Sequence, residues 1–264
     1  MYLERLSVSG ISQSKYYQSK TFNKGLGTDL DMPDCTQYDV CRTMEACQVV
    51  DKPFLMFKNR SAGGYPDAEN WYADTILPKG KDIKTGAIVC FDNHVAFIER
   101  VNVDGTCLIT DSRYDTNKSL RNDRYWRKLD GIKLKVGNKP NISGIGKVLG
   151  FIYPPIKDVR TKRNKAIEQI ELIEDYVNVR NKPNGDLVCE GCYAPVGLYN
   201  VISKQNVDGY VWYEIDTNCF VRSGEWLIHY DIEESNEDLK KEIEELKKRL
   251  KEINKLSEVW KWAI

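Results

Sequence analysis

The chain has 264 residues and a formal net charge of zero, because 39 basic residues balance 39 acidic ones. A general nucleic-acid binder needs a basic field, so this balance argues against that class of protein. Hydrophobic residues make up 41% of the chain and charged residues 30%, as in a water-soluble globular protein. No apolar stretch reaches the ~20 residues that a membrane-spanning helix needs.

Residues 1–155 are predicted to form the first domain. Apolar spacing predicts a helix that starts beside Asp34, the expected N-cap, and a second short helix over residues 67–74. Strands are predicted at 86–91, 94–101, 106–114 and 144–153. Helices followed by strands indicate an α+β fold for this domain.

Three further segments are predicted after the first domain. The charged residues 156–172 are expected to form a linker, and the short alternating stretches of residues 173–232 indicate a small all-β barrel or sandwich. In residues 233–264 a strict apolar stripe predicts a coiled-coil helix and a homo-oligomer formed through residues 236–262. The alternative is that this helix folds back on its own chain. The stripe consists of Leu239, Ile243, Leu246, Leu250 and Ile253.

The eight cysteines are expected to act as thiols and not as a disulfide framework. Residues 1–25 lack the apolar core of a signal peptide, so we expect synthesis in a reducing cytosol, and the chain is long enough to build a core without covalent links. Four of these cysteines, Cys41, Cys47, Cys90 and Cys107, fall at apolar positions of predicted elements, where cysteine behaves as a small hydrophobic residue.

Cys35 and His94 are the candidate catalytic pair. Cys35 lies at a predicted helix start, where the backbone N–H groups lower the pKa of a thiol, and His94, one of only two histidines, begins a predicted strand. A thiolate and an imidazole that accepts and returns its proton are what a cysteine hydrolase needs. The competing interpretation of Cys35 is a residue that fills the core.

Either Asp111 or Glu99 is expected to orient His94. Strand alternation turns Glu99 away from His94, and a two- or four-residue turn after residue 101 brings Asp111 onto the His94 face. A three-residue loop reverses this parity and favours Glu99. Arg113 also shares the His94 face, where it binds a substrate carboxylate or is simply solvated.

Other candidates concern substrate and metals. Trp71 and Tyr72 are expected to line the substrate groove, with a core role as the alternative for Trp71. His229 is interpreted as structural; a zinc site formed by Cys189, Cys192, Cys219 and His229 has only a weak CxxC signal. No cofactor is expected, although Asp29 and Asp31, followed by Asp34, offer clustered oxygens that suit calcium.

Five motifs in order resemble the CHAP family of cysteine- and histidine-dependent amidohydrolases/peptidases. They are residues 32–38 (MPDCTQY), 68–72 (AENWY), 84–91 (KTGAIVCF), 93–101 (NHVAFIERV) and 148–154 (VLGFIYP). The resemblance implies a papain-like α+β domain that hydrolyses peptidoglycan, with Cys35 as nucleophile and His94 as base. The family's third catalytic residue falls on Asp111.

Residues 173–232 resemble bacterial SH3-like cell-wall-binding domains. The aromatic residues expected to bind the wall are Tyr176, Tyr199, Trp212 and Tyr213. Together the two halves resemble phage endolysins, which implies synthesis in the host cytoplasm, release to the cell wall at lysis and cleavage of an amide bond in peptidoglycan. The sequence leaves open which bond is cut, whether a sugar-to-peptide amide or a bond within the peptides. Alternatives are a thiol peptidase or acyltransferase acting on protein, and a non-catalytic protein whose clustered β domains bind the wall.

Overall fold

The computed structural model of the chain describes residues 1–11, 13–17, 35–49, 56–57, 66–114, 124–162, 164, 168–230, 241 and 243–250. Of these residues, 37% lie in strands and 15% in helices. The structure is therefore mostly β, with several antiparallel sheets and short helices.

The expected papain-like α+β layout is wrong. In the first region the described helical segments are short: α1 (Cys35–Cys47), a 3-10 turn (Ala68–Asn70) and α2 (Trp71–Asp74). Strands dominate instead, in part because β6 forms where the sequence predicted none. The strands of this region are β1 (Glu4–Arg5), β2 (Lys79–Gly80), β3 (Ile88–Phe91), β4 (Val95–Val101), β5 (Cys107–Tyr114), β6 (Arg124–Ile132) and β7 (Val148–Ile152).

A six-stranded antiparallel sheet forms the centre of the first region, in the order β2-β7-β3-β4-β5-β6. Helix α1 packs against β4 and β5. Side chains alternate along β4, so Phe97 enters a core cluster shared with α1 and Ile98 enters a second cluster. Both faces of the sheet are thus covered by apolar packing.

The second region is all β and begins inside the segment expected to be a linker. Its strands are β8 (Arg160–Thr161), β9 (Gln169–Leu172), β10 (Cys192–Tyr193), β11 (Gly197–Asn200), β12 (Ser203–Val207), β13 (Tyr210–Asp216), β14 (Cys219–Arg222) and β15 (Leu227–Tyr230). Seven of them form a four-stranded sheet, β15-β9-β11-β8, and a three-stranded sheet, β12-β13-β14, while β10 pairs with β1 of the first region. Ile170, Leu172 and Val221 are fully buried in the core of this region.

Residues 1–6 join the two regions. Strand β1 pairs with β10, and Leu3 packs in the core of the second region while Tyr2 packs in the core of the first. Arg5 forms a buried ion pair with Glu45 of α1, with Nη2–Oε1 at 2.5 Å. This segment therefore contributes side chains to both cores.

Cys189 and Cys192 form a disulfide, which corrects the expectation that all eight cysteines are thiols. Their Cα atoms are 5.3 Å apart, within the range that a disulfide spans. Free thiols were expected from the cellular compartment and the chain length, which are properties of the whole protein. Neither property says how close the two cysteines of a CxxC motif lie.

The long C-terminal coiled coil is also absent from the residues that the structure describes. Residues 241 and 243–250 are helical, and Ile243, Leu246 and Leu250 are about half exposed. A regular apolar stripe predicts a supercoil only when a partner covers it, and one chain supplies none here. No helix within the described ranges is long and apolar enough to cross a membrane.

Candidate active site

Cys35 is the first residue of α1, so the predicted helix start is confirmed. Its side chain is partly buried and packs against the core cluster that contains Val95, the residue after His94. The helix N-terminus supplies the partial positive charge that stabilises a thiolate. Asp34, the expected N-cap, lies outside the described residues. The direct pairing of Cys35 with His94 stays a prediction.

His94 follows a two-residue turn that is bound to a neighbouring loop. Asp92 Oδ1 accepts a hydrogen bond from the Lys147 amide at 3.0 Å, and Asn93 Oδ1 accepts one from the Gly146 amide at 2.8 Å. The imidazole stacks on Phe91 with ring centroids 6.2 Å apart. The turn and the stacking together fix the position of the ring.

His94 and Asp111 contact each other directly, with Nε2 and Oδ2 2.7 Å apart. Arg127 donates from Nε to Asp111 Oδ1 at 2.9 Å and from Nη2 to Oδ2. Burial alone raises the pKa of Asp111, but the hydrogen bonds from His94 and Arg127 outweigh burial and lower this pKa. An ionised carboxylate only accepts hydrogen bonds, so His94 Nε2 is the donor and Nδ1 is the nitrogen left for proton exchange.

Glu99, the alternative partner of His94, binds Arg42 and Thr110 instead. Its two oxygens accept hydrogen bonds from Arg42 Nε at 2.8 Å and Arg42 Nη2 at 2.7 Å, and Thr110 adds a third at 2.6 Å. The side chain is fully buried. The structure thus assigns Glu99 to the packing of α1 and Asp111 to His94.

The predicted groove residues have different environments. Trp71 is fully buried, donates from Nε1 to the Pro66 carbonyl and meets Phe57 edge to face at 5.0 Å, so it lies in the core and not on a groove. Tyr72 is partly exposed and covers Gly150 of β7, where an added Cβ would lie 2.3 Å from the ring. Arg113 lies in β5 opposite Tyr125.

Two residues of the site escaped the sequence analysis. Arg127 lies on the unpredicted strand β6, directly opposite Asp111. Asp39 follows Cys35 by one helical turn and is fully buried, and neither of its carboxylate oxygens has a hydrogen-bond partner in the described structure. Burial first, then the charges of Asp111 and Glu99, raise the pKa of Asp39 well above its usual value. An aspartate on the apolar face of a predicted helix was the signal that could have identified it.

The aromatic residues expected to bind the wall fall into two groups. Tyr176 and Trp212 line a cavity in the second region. Tyr199 and Tyr213 lie in the core cluster of the second region, because strand alternation turns them inward, and neither of them lines this cavity.

The proposed metal ligands are not assembled in the described structure. His229 contacts Glu168, with Nε2 and Oε1 2.7 Å apart, and stacks on Tyr213, while Cys189 and Cys192 are bonded to each other. This arrangement is inconsistent with the four-ligand zinc site and consistent with a structural His229. Asp29, Asp31 and Asp34, the possible calcium ligands, lie outside the described residues.

Comparison with known proteins identifies no family. No family model matches the chain, and no curated protein matches it significantly. Six chains of solved structures match. The crystal structure of Ly7917 is 18% identical over 75% of this chain and 90% of that chain, with a TM-score of 0.30. Ly7917 with the hydrolyzing product of MDP is 15% identical over 84% and 86%, with a TM-score of 0.25. With TM-scores below 0.5, these likenesses carry no argument about fold or function.

Proposed function

We propose that the chain is a cysteine-dependent hydrolase that cleaves an amide bond in bacterial peptidoglycan and thereby lyses cells. The observation that carries the proposal is the hydrogen bond between His94 Nε2 and Asp111 Oδ2, at 2.7 Å. It orients the imidazole as a catalytic base requires. The start of α1 at Cys35 and the five ordered motifs that resemble the CHAP family support the same assignment.

In this proposal Cys35 is the nucleophile and His94 is the proton carrier. His94 Nδ1 takes the thiol proton, the Cys35 sulfur attacks the amide carbonyl, and the imidazolium returns the proton to the departing amine as the C–N bond breaks. Water, deprotonated by His94, then hydrolyses the thioester and regenerates the thiol. The ionised Asp111 stabilises the imidazolium throughout these steps.

Residues 173–232 are proposed to bind the cell wall, since they resemble SH3-like wall-binding domains. Tyr176 and Trp212 are the aromatic residues with access to a cavity. The protein would be made in the host cytoplasm and would meet peptidoglycan at lysis. Two bond specificities fit this chemistry, N-acetylmuramoyl-L-alanine amidase and peptidoglycan endopeptidase.

The decisive experiment follows the turbidity of purified cell walls with Cys35→Ala and His94→Ala. Both variants should lose lysis while remaining folded, with circular dichroism spectra like that of the parent. Cys47→Ala, at the other end of α1, and His229→Gln, in the second region, are matched controls that should lyse normally. A folded Cys35→Ala protein with full activity would refute the proposal. Mass spectrometry of the fragments then identifies the bond that is cut.

We also propose that the chain self-associates through the exposed apolar side chains of residues 243–250. Ile243, Leu246 and Leu250 are each about half exposed, and burial of apolar area between copies is favourable. Light scattering should show a multimer for the parent and a monomer for the triple Ser variant at these positions. A monomeric parent at micromolar concentration contradicts the proposal.

A further inference from the structure

A cavity of about 400 Å³ opens in the second region, and its size is that of a small-ligand site. Tyr176, Trp212 and Trp226 form aromatic parts of its wall, and Arg180 and Arg222 also line it. The candidate active site makes no use of these residues. The cavity is therefore a separate place where a ligand can bind.

The charges that line this cavity favour an anion. Arg222 lies 4.2 Å from the Tyr210 ring centroid and 5.8 Å from that of Trp226, and it has no carboxylate partner among the described residues. Arg180 Nη1 donates to the Gly185 carbonyl, again without a carboxylate. Asp175 is neutralised by Arg100 at 2.5 Å, so Glu174 alone opposes the two arginines.

Trp212 adds a hydrogen-bond donor that lacks an acceptor. The residue is 3% exposed, it lines the cavity, and its indole Nε1 is buried without a partner in the described structure. Buried donors are nearly always paired, so an acceptor from a ligand would complete this site. A carboxylate for Arg222 and a carbonyl for Trp212 are both supplied by one short peptide.

One wall of the cavity is attached to the sheet that carries the candidate active site. Lys128 Nζ of β6 donates to the hydroxyl of Tyr176 at 2.6 Å, and Arg100 of β4 holds Asp175. Lys128 directly follows Arg127, which binds Asp111. A ligand in the cavity is thus held in a defined position relative to His94.

We propose that this cavity binds a short peptide by its free carboxylate. Arg222 holds the carboxylate beside the ring of Trp226, and Trp212 Nε1 donates to a peptide carbonyl. The proposal rests on the proposed function for its source of ligand, the stem peptides of peptidoglycan. The second region then anchors one peptide strand while the first region cleaves another bond of the same polymer.

The test uses the full chain with Cys35→Ala, which blocks turnover, and calorimetric titration with a synthetic stem pentapeptide. The peptide with a free C-terminal carboxylate should bind about tenfold or more tightly than its C-terminal amide, because a charge-assisted pair with arginine is lost in the amide. Arg222→Gln should remove this preference. Trp212→Phe should weaken both peptides by roughly fivefold. Arg249→Gln, a surface arginine on the C-terminal helix, is the matched control.

Equal binding of the acid and the amide to the unaltered cavity would overturn the proposal, and this comparison needs no cavity variant to fold. Binding of a peptide-free glycan chain in place of the peptide would overturn it as well. If Arg222→Gln still binds the peptide acid more tightly than the peptide amide, the peptide binds elsewhere, for example at the active site. That result would also overturn the proposal. These titrations do not test the proposed hydrolase function. That function would be refuted by a different result, lysis of cell walls by Cys35→Ala.

Discussion

Arg127 and Asp111 pair directly across β6 and β5, and the guanidinium contacts both oxygens of the carboxylate. This bidentate contact fixes the plane of the group that in turn contacts His94. Arg127 is therefore a positioning residue for the candidate base, two contacts removed from any substrate.

Replacing Arg127 by Gln should lower kcat about 10-fold to 100-fold, the cost typical of a misplaced catalytic group, with little change in KM. It should also reduce the free energy of unfolding. Asp111 has a lowered folded pKa, so its stabilising contribution is present above its ordinary pKa of 3.8 and is lost as pH falls. Denaturant melts should show a difference from the parent that is largest near neutral pH and shrinks below about pH 4. Lys133→Gln, at the exposed residue that directly follows β6, should show neither effect.

Asp111→Asn and Glu99→Gln should separate catalysis from stability. Asp111→Asn should reduce wall lysis by about 10²-fold to 10⁴-fold, because a neutral amide does not stabilise the imidazolium. Glu99→Gln should instead cost roughly 1.5–3 kcal/mol of stability, since the buried Arg42 loses its nearer carboxylate, at 2.7 Å, and keeps Glu45, at 3.2 Å. Specific activity of the folded fraction and urea midpoints measure the two effects. The opposite pattern would mean that Glu99 orients His94.

Asp39→Asn should stabilise the protein increasingly as pH rises. The folded pKa of Asp39 is raised, so the parent has its full stability below the ordinary pKa of 3.8 and loses it as pH increases. Asparagine is close in shape to the protonated acid and has no such loss. Thermal melts from pH 4 to pH 9 should diverge from the parent, whereas Asp186→Asn, at an exposed position, should track it. If the melting temperatures of Asp39→Asn and the parent instead change with pH in parallel, ionisation of the Asp39 carboxyl does not destabilise the folded protein.

Gly146→Ala should impair lysis more than stability. A Cβ at this position would lie 1.4 Å from Asp92 Oδ1 and 2.6 Å from its Cγ, so the turn before His94 has to move. A displacement of about 1 Å of a catalytic group lowers rates by about 10²-fold. Gly105→Ala is the control: the added Cβ meets nothing within 4 Å, so it should keep normal activity, although its positive φ of 78° makes alanine destabilising. Equal loss of lysis in both variants would argue that the turn does not position His94.

The sequence placed Asp111 beside His94 although neither the length of the loop after β4 nor a bulge in that strand was predicted. Strand alternation and an even-length turn predicted that Asp111 shares the His94 face. The structure pairs Val101 with Cys107, which leaves a five-residue loop, and a bulge between Ile98 and Arg100 shifts the register. The odd loop and the bulge each reverse the parity, so their effects cancel. No pattern in residues 94–111 reveals a bulge in advance.

Local patterns predicted β3, β4, β5 and the start of α1, because each has clear apolar periodicity. They missed β6, whose residues 124–132 are mostly charged or aromatic, since its hydrogen bonds to β5 come from tertiary pairing and not from burial of an alternating face. Arg127 was missed for this reason. The sequence predicted that the second region starts at residue 173, but β8 and β9 lie before that residue. Both strands were missed because they are short and their surroundings are rich in lysine and arginine.

The insertion of residues 1–6 between the two cores has a consequence for folding. Strand β1 pairs with β10, with Glu4 opposite Tyr193 and Arg5 opposite Cys192, so this contact closes a very large loop and forms slowly. On the ribosome, Tyr2, Leu3 and Arg5 emerge first but have to wait for residues 192–193 before their strand can pair. Arg5 also donates to Glu45 of α1, and Arg42 donates to the Leu3 carbonyl, so the pairing of β1 with β10 joins the second region to this buried network. The two regions should consequently lock together in a late step, and a nascent chain stalled before residue 190 should hold β1 without its strand partner.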